Sequence, residues 1–374
     1  MKLNFPIRLE SERAWRTYLG GKLIDELQGK TPAEDTHFPE DWIISVVRAI
    51  NQGREDIEEG VNRLSKEAID VLRRNGDVPA AVDNLADLIA AEPEAMLGRA
   101  HVAKWGAKTA VLCKVIDAAE RLGVQCHPDK EKAMEFFSSP FGKTESWHII
   151  GGREVNGEKP YVYMGFKPGI TEAKWRDAFE RQDIPAMLGM LHRIEVKPGD
   201  TFLIEGGMPH AIGAGCLLVE VQEPTDYTFK TEKVTLQGLH LADKTCHYGI
   251  GFDNMFKCFH YEGYDEQETR RLRMVPPKVL EDAADYTLTE IIGYGSTPCF
   301  SLERLDVRGT CRREIAGEFE GLYVISGRGT IGSVAGESVL RGGAQFFVPA
   351  CCTGYTLAAA PGETLSVFRI KSAK

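Results

Sequence analysis

The segment Gly123-Val124-Gln125-Cys126-His127-Pro128-Asp129-Lys130 sets an amide and an imidazole two residues apart. On an extended chain residues i and i+2 share a face, so Gln125 and His127 project together while Cys126 points away. A polar pair on the inner face of a sheet needs partners. A metal ion is one reading, and a hydrogen-bonded core pair is the other. A second segment, Gly142-Lys143-Thr144-Glu145-Ser146-Trp147, places a base and an acid around a threonine just before an apolar run. Glu145 is there either as a third, oxygen ligand or as a solvated strand-end carboxylate. The third, residues 197–213 (KPGDTFLIEGGMPHAIG), reads turn, strand, turn and then His210 on the returning strand. Gln125, His127, Glu145 and His210 offer nitrogen and oxygen but no thiolate. Such a set suits zinc in a catalytic site that keeps one position open for water or substrate.

Groups this far apart in sequence must be gathered by a sheet. Short β-branched or alternating runs at 111–116, 124–127, 147–150, 161–164, 201–204 and 217–221 are bounded by Gly and Pro, with a helical interruption near 171–191. After residue 299 strands recur about every ten residues between glycine turns, the pattern of a sandwich or barrel. Ile57, Val61, Leu64, Ala68 and Val71 recur three or four apart, which predicts an amphipathic helix from Asp56 to near Asn75-Gly76. Pro79 is expected to open a second helix carrying Val82, Leu85, Leu88 and Ile89, and Pro93 to close it. No βαβ alternation, GxGxxG or P-loop is present, which argues against a nucleotide-binding α/β fold.

The 374 residues suggest two domains, or one with insertions, at ~150 residues per domain. With 43% apolar residues the chain can bury a real core, so wholesale disorder is excluded. A formal charge of −10 and the lack of any basic run argue against nucleic acid or an anionic membrane as partner. An anionic small molecule could still be gripped by a few focused cations. The first fifteen residues carry charge throughout and never build an export signal. The uncharged run 342–362 is broken by Pro349, Gly354 and Pro361 and reads as two buried strands with a turn. Nine cysteines without a CxxC pair read as free thiols of a reducing cytoplasm.

The segments VQCHPDK, GKTESW, PGDTFLIEGGMPHAIGAG and LLVEVQEPTDYTFK, with WRTYLGG and FPEDWIIS earlier, resemble the type I phosphomannose isomerases. The likeness runs through most of residues 1–260. It implies a mainly β fold with helical insertions: two cupin-like, jelly-roll barrels plus a helical subdomain. Residues 1–260 would form the catalytic barrel, with the helical insertion at about 52–108. Residues 261–374, which contain no histidine, would form a second, non-catalytic barrel. The resemblance further implies one Zn2+ per chain on Gln125, His127, Glu145 and His210. It puts Trp42, Lys114 and Lys143 in the substrate pocket and gives Glu220 and Lys230 catalytic roles. The implied reaction interconverts mannose 6-phosphate and fructose 6-phosphate through a cis-enediol. Two positions depart from the family: Lys230 stands where it has an arginine, and Gly123 where it usually has a serine. Lysine keeps the charge but loses the planar fork. The alternatives are a metal-binding cupin that holds a sugar phosphate without turning it over, and an iron oxygenase. For the oxygenase, Gln125 would fill a position that oxygen needs.

Overall fold

The computed structural model describes residues 3–75 and 81–374. Its strands form four open sheets in which every pairing is antiparallel. The six-stranded sheet runs, in order, Glu12–Ala14, Glu40–Ile43, Leu112–Asp117, Cys216–Gln222, Glu145–Gly152 and Thr201–Ile204. The five-stranded sheet runs Phe229–Lys230, Gln125–Cys126, His210–Ile212, Tyr161–Phe166 and Leu191–Glu195. These two face each other across Ile116, Trp147, Ile149 and Leu218 on one side and Val162, Met164, Ile194 and Ile212 on the other.

A second sandwich pairs a seven-stranded sheet with a four-stranded one, built from residues 278–371 and the early strand Ile7–Leu9. The two sandwiches stack back to back. Alternation along the strands turns Cys113, Val115, Val219 and Val221 outward from the first sandwich, onto Tyr323, Phe347, Phe368 and Ile370 of the second. The central strands of the six- and seven-stranded sheets are therefore buried on both faces, while the edge strand Lys278–Asp282 stays exposed. The run at 342–362 does contain two strands, Gln345–Val348 and Gly354–Ala359. All nine cysteines are free, and all but Cys351 are buried. Among the described residues, no helix is long and apolar enough to cross a membrane.

The helical block differs from the sequence expectation. The helix spans only Lys66–Asn75, not the stretch from Asp56. Gly60 sits at φ +94°, and Val61 and Leu64 make bridges to Val46 and Leu9, so the apolar spacing upstream serves strand contacts. Ser65 then caps the helix, its hydroxyl accepting from Ala68 N at 3.1 Å. Pro79 lies outside the described residues. The next helix is Leu85–Ala91, capped by Asn84. Pro93 opens another helix, Pro93–Leu97, rather than closing the one before it, because proline in a first turn forfeits no hydrogen bond. The interruption near 171–191 is a pair of helices, Glu172–Glu180 and Ile184–Gly189.

His148 gives this stacking a pH signature. Its neighbour Trp147 faces into the first sandwich, so His148 faces out, edge-on to Phe368 at 5.6 Å with Nδ1 2.9 Å from Thr201 Oγ1. Burial, aided by the charge of Arg304, lowers its pKa to about 4. Between roughly pH 6.5 and 4 the unfolded chain binds a proton here that the folded chain does not. Stability should therefore fall as pH drops through that window, by up to about 3 kcal/mol from this residue. Denaturant unfolding of His148→Gln across the window should show a shallower decline than the parent, and parallel curves would remove His148 as its source.

Candidate metal centre and substrate cleft

Two glycine-dependent turns converge on a third turn at one end of the first sandwich. A Cβ on Gly142 would stand 2.8 Å from the Asp129 carbonyl carbon, and one on Gly206 would stand 2.6 Å from Asp129 Cα. Only glycine lets the Glu145 and His210 segments pack this closely on the turn after His127. Backbone bonds lock the arrangement: Lys143 N donates to Pro128 O at 3.0 Å and Gly207 N to His127 O at 2.8 Å.

The result is a buried cluster in which ligand atoms of His127, Glu145 and His210 all lie within 4.8 Å of one another. His127 Nδ1 donates to Tyr227 O at 2.7 Å and His210 Nδ1 to Met208 O at 2.8 Å. Both Nε2 lone pairs are thereby turned toward Glu145, at 3.2 and 3.4 Å from its oxygens. Gln125 approaches His210 Nε2 at 3.2 Å, and its amide turned over would offer oxygen to the same centre. Neither Glu145 oxygen receives a hydrogen bond, although the residue is fully buried. The reading of Glu145 as a solvated strand-end group is thus overturned. Burial would raise the Glu145 carboxyl, but Lys143 and His127 outweigh it and hold the group well below its ordinary pKa. Burial, with the Lys143 charge, lowers His127 to about 4, and burial lowers His210 as well. Two neutral imidazoles, an ionised carboxylate without hydrogen bonds and an adjacent amide fit a divalent ion of the zinc type.

Sheet register carries the centre into a cleft. On the six-stranded sheet Trp42, Lys114, Glu220 and Trp147 stand directly opposite one another on successive strands. Lys114 Nζ lies 3.2 Å from Glu220 Oε1, and Trp147 Nε1 donates to Glu220 Oε2 at 3.1 Å. Across the cleft, Lys230, Gln125 and His210 are neighbours in register on the five-stranded sheet. Lys114, Gln125, Lys143, Glu220 and Lys230 all line the cleft.

Trp42 does not. It is fully buried behind the wall, with Nε1 donating to Glu40 at 2.7 Å and Lys114 Nζ 4.7 Å from its ring centroid. Lys143 is not a free cation either. Its Nζ lies 3.1 Å from Glu145 Oε2 and donates to His127 Nε2 at 2.8 Å. At Gly123 an added Cβ would meet Glu232 at 3.8 Å or more, so the space of a side chain is open there.

Sequence reasoning missed Arg16 and Asp226, which form a half-buried pair on the cleft wall, and the Arg121–Glu232 fork at 2.6 and 2.9 Å. The only signal for them was an arginine inside WRTYLGG and an acid four residues before Lys230.

Two stacked β-sandwiches with a buried His–Glu–His cluster inside the first describe a cupin-like protein with a candidate metal site. Within that class the resemblance is to the type I phosphomannose isomerases. Residues 74–142 match the family model for the phosphomannose isomerase type I catalytic domain. Mannose-6-phosphate isomerase ManA of Bacillus subtilis is 32% identical over 129 residues, 33% of this chain and 37% of that protein. The mannose-6-phosphate isomerase of Streptococcus mutans is 32% identical over 124 residues, 32% of this chain and 35% of that protein. In these alignments the chain spans about a third of each relative's length. The crystal structure of the Bacillus subtilis mannose 6-phosphate isomerase shares the fold, with a TM-score of 0.70 at 20% identity over 98% of this chain and 99% of that one.

Proposed function

We propose that the protein is a cytoplasmic, zinc-dependent isomerase that interconverts mannose 6-phosphate and fructose 6-phosphate through a cis-enediol. In this reading residues 1–260 carry catalysis, and residues 261–374 supply stability. The observation that carries the proposal is the cleft lined by the Lys114–Glu220 pair, Lys230, Gln125 and Lys143, the last two of which touch the His127–Glu145–His210 cluster behind it. Within the second sandwich, by contrast, the buried Arg369 spends its donors on Glu303 and Glu320, at 2.6 Å each.

Aldose–ketose exchange moves a proton between C1 and C2 while negative charge grows on the adjoining oxygen. A divalent ion held by Gln125, His127, Glu145 and His210 would supply positive charge against that oxygen. Glu220 is the proton carrier in this scheme. Lys114 and the Trp147 indole hold both of its oxygens in place, and burial keeps bulk water from competing for the proton. Lys230 offers a compact charge to the phosphate or to the developing oxyanion.

A coupled assay on mannose 6-phosphate tests the proposal. Ketose should form, formation should stop on chelation, and zinc should restore it. Protein that holds one divalent ion per chain but turns over no mannose 6-phosphate would refute the isomerase reading and leave a sugar-phosphate binder.

A further inference from the structure

Five cations line the cleft, and four of them are already engaged. Arg16 pairs with Glu40 and Asp226, Lys114 with Glu220, Arg121 with Glu232, and Lys143 with Glu145. Among the described cleft cations, the Lys230 side chain alone makes no ion pair or hydrogen bond; its Nζ stands 5.9 Å from the Tyr248 ring centroid. That freedom needs a cause. Burial lowers the pKa of Lys230, and the charge opposing that fall most strongly is the carboxylate of Asp226 in the same segment. A half-buried ammonium and a half-buried carboxylate sharing one cleft should otherwise collapse into a pair.

Arg16 prevents this. Its Nη2 and Nη1 reach Asp226 Oδ1 and Oδ2 at 3.4 and 3.5 Å. The guanidinium is itself clamped: Nε lies 3.0 Å from Glu40 Oε1, Nη1 lies 3.3 Å from Asn51 Oδ1, and the Trp42 ring centroid is 5.1 Å from Cζ. Tyr248 donates to the Asp226 carbonyl at 2.6 Å and fixes the backbone that carries the acid. Burial would raise the Asp226 carboxyl, yet Arg16 and the neighbouring lysines hold it below its ordinary range, so it stays ionised and stays paired.

We infer that Arg16 is a positioning residue whose fork on Asp226 keeps the Lys230 ammonium uncommitted and available to the anionic group of the substrate. The departure at position 230 gives this device its purpose. A planar guanidinium could pair with Asp226 and still present N–H groups to a ligand, whereas an ammonium captured by Asp226 has spent its charge. Lysine at position 230 therefore needs a second cation to occupy the acid.

This inference rests on the proposed isomerase reading, and direct titration of the metal-loaded protein with inorganic phosphate separates the two. Wild-type protein that binds phosphate but does not turn over mannose 6-phosphate would defeat the isomerase reading and leave the Arg16 assignment testable. Arg16→Met should weaken phosphate binding, and lower kcat/KM for mannose 6-phosphate, by at least about 10-fold. Adding Asp226→Asn should restore affinity, because a neutral amide cannot capture Lys230. Adding Lys230→Arg should restore it independently, because the fork serves both partners; a merely structural Arg16 would gain nothing from that change. Should Arg16→Met fail to fold, Arg16→Lys keeps the charge but reaches one oxygen fewer, and should cost about 3-fold. Unaltered phosphate affinity in the folded Arg16 variant, or a loss that neither Asp226→Asn nor Lys230→Arg repairs, would overturn the assignment.

Discussion

Replacing His127 and His210 together by alanine should leave the purified protein without its divalent ion and without isomerase turnover. Each imidazole is held by a carbonyl on its Nδ1, so its Nε2 cannot easily be replaced by another side chain in the cluster. Removing both leaves Glu145 with Lys143 as its one close cation, an internal ion pair in place of a metal site. Loss of a metal's charge stabilisation is worth several kcal/mol, so turnover should drop by roughly 1,000-fold or more. The melting temperature should also stop responding to added zinc, since an ion that binds only the folded chain stabilises it by mass action. Elemental analysis is the deciding measurement. Unchanged metal content in the double variant would remove these residues as ligands, whatever happened to activity.

Lys230→Met should lower turnover of mannose 6-phosphate by at least ~100-fold, the scale for losing a major electrostatic donor. The loss should come at constant metal content, because Lys230 is not a proposed ligand. Lys230→Arg should retain or improve activity, since a planar fork adds a hydrogen bond in a cleft already arranged for an anion. The register of Lys230 opposite Gln125 makes the arginine variant geometrically modest, as the strand pairing itself is backbone. A folded, metal-loaded Lys230→Met protein that runs at the parental rate would end the assignment.

What was legible in the sequence was local. The i, i+2 spacing of Gln125 and His127 and the two glycine turns around Glu145 and His210 are short-range patterns, and the structure gathers all four residues. The fate of each charged group was not legible, because its partner arrives from elsewhere. Whether Glu145 is solvated depends on two imidazoles 18 and 65 residues away in the chain. Lys143 was expected to meet substrate, yet it leans on His127 and Glu145. Arg16 drew no notice because its meaning lies in Asp226, 210 residues on. The helix expected from Asp56 failed for a related reason. Apolar residues at helical spacing also serve strand bridges, and only tertiary pairing decides which use wins.

The strand Ile7–Leu9 pairs with Gln345–Val348, and Gln345 Nε2 also donates to the Glu10 carbonyl across 335 residues. A ribosome adds about 5–20 residues each second, so the partner of this early strand emerges roughly 20 s to a minute after it. Through that interval Cys113, Val115, Val219 and Val221 leave the ribosome with no opposing layer, because Tyr323, Phe347, Phe368 and Ile370 have still to be made. A nascent chain that has just completed its cleft residues therefore still presents this apolar face of the six-stranded sheet uncovered.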